Sequence, residues 1–133
     1  TVLDRATGAV RWRATGLSAR VGTLAVAGPT ILAPTDAGEV VALPAAGCGA
    51  ATCAPLWRAP VGGLAKVAAG GDVAYVTAGG NVIALAVDGC GAPTCAPLAQ
   101  VHVGGTLSSP VVDGGRVFVG DLTGNLVALG LPR

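Results

Sequence analysis

Apolar and polar positions alternate with breakers too quickly along this chain for helices to form. Short runs rich in Val, Ala and Leu, among them "GTLAVAG", "TILAPT", "EVVALP", "DVAYVTA", "NVIALAV", "RVFVGD" and "NLVALG", are separated by Gly, Pro, Asn and Asp. The longest stretch free of both Gly and Pro is residues 81–88. A helix of ordinary length would have to hold Gly or Pro inside it, at a cost of about 1 or 3 kcal/mol each relative to Ala. The pattern predicts strands joined by tight turns such as "DAGE", "AGGN" and "LTGN", where Gly takes positive φ without a steric penalty. Several runs are apolar on consecutive positions, as in "VVAL" and "VIAL". Strands of that kind are buried on both faces, whereas a sheet with one wet face alternates.

The runs repeat. "GEVVAL" (38–43), "GNVIAL" (80–85) and "GNLVAL" (124–129) align at spacings of 42 and 44 residues. A period of that size with about four short strands is that of a β-propeller blade; the rungs of a β-solenoid, the competing repeat fold, are much shorter. Small Ala42, Ala84 and Ala128 at one position of the repeat are predicted to let blades approach closely, with Leu43, Leu85 and Leu129 filling the opposite face.

Composition narrows the core and the partners. The chain has 133 residues, enough for one domain, and is 52% hydrophobic but only 3% aromatic, so its core must consist of thin layers of small side chains. Charged residues are 11% and the formal net charge is +1, which argues against nucleic acid as a partner. Arg5, Arg11, Arg13 and Arg20 cluster near the start against a single Asp4. They read as solvated positions on an exposed strand and its turns, or as a local patch for an acidic envelope surface. No run approaches the roughly 18 apolar residues of a membrane span. The first residues lack an initiator Met and a basic-then-apolar leader, the look of an excised or mature segment.

Two stretches, "VLDRATGAVRWRATG" (2–16) and "SSPVVDGGRVFVGDLTGNLVAL" (108–129), resemble the pyrroloquinoline-quinone-like (PQQ-like) propeller repeat. Gly124, Ala128 and Leu129 fall on its "G-x-x-x-A-L" element, and Leu3, Asp4, Thr7, Gly8 and Trp12 on its "LDxxTGxxxW" element. The resemblance covers essentially the whole chain and implies an all-β propeller segment of about three four-stranded blades. The blades are expected at approximately 17–60, 61–104 and 105–133, with the strand at 8–14 completing the last one. Such a segment is either a partial propeller or a protomer of an assembled one, its partners being protein or other blades and, in the second case, a further copy of itself. The resemblance also implies that Trp12 and Trp57 are structural, each docked against the adjacent blade. The chain departs from the repeat in the second and third copies of the Trp element, where a Cys loop replaces the "TG" turn and Ala99 stands in the place of Trp57.

That loop occurs twice, as "GCGAATCAPLWRAPVGG" (47–63) and "GCGAPTCAPLAQVHVGG" (89–105), with Cys48/Cys53 and Cys90/Cys95 at its two sides. One reading is a disulfide closing each loop, worth about 2 kcal/mol in the chain-entropy treatment. The others are a four-thiolate zinc site and free thiols. Zinc favours tighter Cys-x2-Cys knuckles that converge, whereas equivalent loops of consecutive blades diverge. Disulfides point to an oxidising compartment, so an extracytoplasmic location is expected.

Catalytic patterns are weak. His102 has no Cys or Asp partner nearby in sequence and reads as a strand position with a satisfied ring. Ser18, Ser108 and Ser109 lack a nucleophile elbow. Asp36, Asp72, Asp88, Asp113 and Asp121 stand singly at turns, without the spacing calcium requires. Quinone dehydrogenases of the resembling fold share an adjacent Cys-Cys pair and a calcium-binding acid set, and this chain has neither. No cofactor or metal is therefore expected. The favoured reading is a non-catalytic extracytoplasmic module that serves as a binding, sensor or scaffold domain of a larger protein. The alternative is a fragment of a quinone-dependent oxidoreductase whose active-site residues lie elsewhere.

Overall fold

The computed structural model of the chain describes residues 1–17 and 19–130, in which fourteen strands and no helix form. Two complete blades sit in the middle. The first is a four-stranded antiparallel meander of β3 (Ala25–Ala27), β4 (Thr30–Pro34), β5 (Glu39–Pro44) and β7 (Trp57–Pro60). The second repeats it with β8 (Lys66–Gly70), β9 (Val73–Ala78), β10 (Asn81–Ala86) and β11 (Ala99–His102). A third sheet has three strands, β12 (Val111–Asp113), β13 (Arg116–Gly120) and β14 (Leu126–Gly130). At the start of the chain β1 (Val2–Leu3) and β2 (Val10–Ala14) form a hairpin, joined on its far side by β6 (Thr52–Cys53). The first strands of the three blades, β3, β8 and β12, lie side by side.

Consecutive apolar residues in one strand serve two interfaces. In β5, Val40 and Ala42 point into the cluster shared with the second blade, which contains Trp57, Val76, Ile83 and Leu85. Val41 and Leu43 point the other way, into a cluster with Trp12, Ala33 and Cys53. The same alternation in β10 sends Ile83 and Leu85 toward the first blade and Val82 and Ala84 toward Tyr75, Val117 and Val119. Burying a Val or Leu side chain stabilises by about 1.5–3 kcal/mol, so double-sided strands contribute twice what a half-wet sheet of equal length does. The run "LVAL" in β14 has the same composition but a different environment: Leu126 is 76% exposed and Ala128 is also exposed, because no further blade covers that face in the described residues.

The opening segment departs from the expected pairing of residues 8–14 with the last blade. Residues 8–14 do not complete the sheet of β12, β13 and β14; β2 pairs with β1 and with β6 instead. The reason is local. Asp4 Oδ1 accepts hydrogen bonds from the Ala6 and Thr7 amides and the Thr7 hydroxyl, at 3.0, 2.9 and 3.0 Å. The Asp4 amide in turn bonds the Ala9 carbonyl at 2.8 Å. This turn closes the hairpin over a few residues, at far smaller loop entropy than pairing with the other end of the chain. The opening unit is thus two strands rather than one. The last three residues of the third blade's expected span lie outside the described residues, as does Ser18.

Candidate functional site

The distinctive chemistry of the chain sits at the junctions between blades, where each outermost strand meets the Cys loop of the next blade. In the first junction, Trp12 on β2 is 4% exposed, with its ring against Gly47. Gly47 has φ +86°, and a Cβ there would stand 2.9 Å from Trp12 Cδ1, so only glycine leaves room for the ring. Beside it, β6 pairs parallel with β2, setting Thr52 opposite Arg13 and Cys53 opposite Ala14. The Arg13 amide donates to the Ala51 carbonyl and the Thr15 amide to the Cys53 carbonyl, both at 2.9 Å. Cys48 and Cys53 are disulfide-bonded, with Cα atoms 5.7 Å apart, and Cys53 is buried in the adjoining cluster.

The second junction repeats the first. Trp57 on β7 lies against Gly89, and its indole Nε1 donates to the Val87 carbonyl at 3.0 Å. The Arg58 amide donates to the Pro93 carbonyl at 2.8 Å, the Cys95 amide to the Arg58 carbonyl at 2.7 Å, and Arg58 forms a parallel bridge with Thr94. Cys90 and Cys95 are disulfide-bonded, with Cα atoms 5.6 Å apart. Arg58 also holds Glu39 of its own blade at 2.7 Å and the Gly16 carbonyl. Each loop therefore does more than close on itself: the first adds the short strand β6 to the edge of the preceding blade and the second a single parallel bridge at Thr94, and a disulfide closes each donating segment. With both cysteine pairs bonded, neither a four-thiolate metal site nor free thiols are present among the described residues.

At the third junction the pattern lapses. Ala99 pairs with Ala84 as Trp57 pairs with Ala42, so it occupies the tryptophan position without a ring. An apolar cavity of about 70 Å³ opens there, lined by Tyr75, Ala84, Ala99, Val117 and Leu129 among others. Burial pushes the Tyr75 phenol above its usual pKa. Polar ties also hold the second blade to the third: Lys66 Nζ donates to the Leu107 carbonyl at 2.7 Å, and the Thr77 hydroxyl to the Ser108 carbonyl at 2.8 Å.

The remaining candidates stay apart. His102 is exposed at the end of β11, its Nδ1 3.0 Å from Asn81 Oδ1. Arg5, Arg11, Arg13 and Arg20 are all exposed, the first three on the opening hairpin and Arg20 on the following loop. Asp121 accepts from the Asn125 side chain and amide and from the Thr123 hydroxyl and amide, which together hold its carboxyl well below the usual range. Asp4 is lowered in the same way, chiefly by the Thr7 amide. No three His, Cys, Asp or Glu side chains gather into a metal-binding group among the described residues.

Repeated four-stranded meanders, packed face to face with their first strands adjacent, define a β-propeller module, here an arc of two whole blades and two partial ones. The chain belongs to the PQQ-like family described as outer membrane protein assembly factor BamB, whose model matches residues 1–129. Among solved structures it is similar to BamB from Moraxella catarrhalis, at 20% identity and a TM-score of 0.61, covering 86% of this chain and 34% of that one. It is also similar to the computationally designed Ika8 protein, at 12% identity and a TM-score of 0.68, over 84% of this chain and 33% of that one. The computationally designed Ika4 protein aligns at 9% identity and a TM-score of 0.52, over 89% of this chain and 95% of that one. The chain thus spans about a third of the first two structures. No curated protein matches it.

Proposed function

We propose that this chain is a non-catalytic propeller module that works outside the cytoplasm and holds a protein partner within a larger assembly. The observation that carries the reading is the pair of disulfide-closed loops, each built into a junction between blades. A fold that uses such bonds at the contacts between its blades suits an oxidising compartment. The family description, an outer membrane protein assembly factor, supports the same setting and a partner that is itself protein. Rigid blades with exposed turns and loops present a fixed surface of the kind scaffold and binding modules use.

Alkylation of the protein in its native compartment tests this reading. With no reductant, Cys48, Cys53, Cys90 and Cys95 should all escape modification, and peptide mapping should show one link within each loop. Four alkylated thiols would contradict both the compartment and the role drawn from it, and a link between the two loops would contradict the loop-closed junctions on which the reading stands.

A further inference from the structure

We propose that the cleft between the linkers of the second and third blades binds a small organic acid, its carboxylate on Lys66 and its apolar body against Leu64 and Leu107. The inference goes beyond the partner-binding reading and does not depend on it. The cleft holds about 230 Å³. It lies where the linker entering the second blade (63–66), the turn between β9 and β10 (79–80) and the linker entering the third blade (105–107) come together.

Lys66 supplies the charge, and the repeat itself does not call for one. The first strands of the three blades end on Ala27, Gly70 and Asp113, each opposite the first residue of the following strand. Four residues earlier stand Thr23, Lys66 and Ser109, so the other two blades manage with a short hydroxyl side chain. Lys66 Nζ donates to the Leu107 carbonyl at 2.7 Å, and no carboxylate lies within ion-pair distance of it among the described residues. Asp121, which bridges Leu107, engages its own carboxylate with Asn125 and Thr123 of its turn. An ammonium has three donors, which leaves two for a ligand.

Backbone donors join it. Gly63, Gly79, Gly80, Gly105 and Thr106 line the cleft, and their amides donate to no acceptor among the described residues. Gly80 is buried. Buried amides are nearly always paired, so an incoming oxygen meets donors that nothing else in the chain engages. One ammonium with neutral amides balances a single negative charge, which favours a carboxylate over a phosphate dianion. Beside these donors lie Leu107, 6% exposed, and Leu64, 68% exposed. A cavity of about 150 Å³ admits benzene. The larger cleft has room for a short aliphatic chain or one ring with a carboxylate attached.

Amide spectra of the oxidised chain titrated with hexanoate test the site. Hexanoate should shift the resonances of Gly63, Gly79, Gly80, Gly105 and Thr106 saturably, and hexanamide, the same body without the charge, should bind at least about tenfold more weakly. Lys66→Gln, which can still donate to the Leu107 carbonyl, should weaken hexanoate by a similar factor and leave hexanamide unchanged. Leu64→Asp, at an exposed position, should weaken hexanoate more than hexanamide by adding a like charge, so the test stands even where Lys66→Gln unsettles the linkers. No saturable shift, equal binding of acid and amide, shifts scattered over other elements, or hexanoate binding unmoved by either variant would overturn the proposal. So would inorganic phosphate, or a short peptide of Asp and Glu, shifting the same amides more tightly than hexanoate, since the preferred anion would then be a phosphate or a protein side chain. None of these results touches the disulfide mapping on which the module's role rests.

Discussion

At the scale of single residues, the junctions depend on which glycine faces a ring. Gly89 and Gly91 lie in the same loop with similar backbone, φ +80° and +77°, but a Cβ at Gly89 would stand 2.5 Å from Trp57 Cδ1, whereas at Gly91 it would meet nothing within 4 Å. Both Gly→Ala changes carry the left-handed backbone penalty of about 1–2 kcal/mol. Only Gly89→Ala also displaces a buried indole and strains its bond to Val87, which adds about 1–3 kcal/mol. Denaturant midpoints of the two variants should therefore differ clearly, with Gly89→Ala the less stable; equal losses would contradict the docking. The tryptophans are legible in the sequence through the repeat they punctuate. The glycines that receive them are not, because "GCGA" contains two glycines and only the fold tells which one lies beneath the ring. Ala99 is the converse case: its departure is visible in the sequence, but the cavity it leaves needs the register to be placed.

At the scale of elements, the two middle blades are legible strand by strand, because double-sided burial writes "VVAL" and "VIAL" in place of an alternating pattern. What is not legible is β6. It holds two residues in a loop rich in Gly and Ala, and its partner lies in the preceding blade, so neither periodicity nor turn chemistry marks it. The near-identity of the two loops beyond their cysteines, with Thr52 and Thr94 at matching positions, is the trace of that pairing. The opening hairpin is missed for a different reason: its turn is readable in "LDRATG", but β1 is too short to register as a strand. The β13–β14 hairpin is held by Asp121, whose carboxylate accepts from Asn125 and Thr123. Because its folded pKa is lowered, the charged form stabilises the turn above the ordinary carboxylate range, and that contribution is lost as pH falls through the folded value. Carboxyl titration by NMR should place Asp121 below the value of about 3.9 for a free Asp side chain. An unshifted midpoint would contradict the network.

At the scale of the molecule, the chain is an arc whose blades are held by three kinds of contact: apolar clusters between faces, tryptophans seated on glycines, and parallel ladders from disulfide-closed loops. The first two depend on shape. The ladders depend on the loops keeping theirs, which ties the integrity of the arc to the redox state of its surroundings. Hydrogen exchange on the oxidised and the reduced chain measures this dependence directly. Four amides span the two ladders: Arg13 and Thr15 in the first, Arg58 and Cys95 in the second. Reduction should speed their exchange strongly while leaving the central ladder of β9 and β10 protected, because that pairing lies within one blade and owes nothing to the loops. If the four amides exchange at the same rate before and after reduction, or if all the blades open together, the disulfide loops are not what latches one blade to the next.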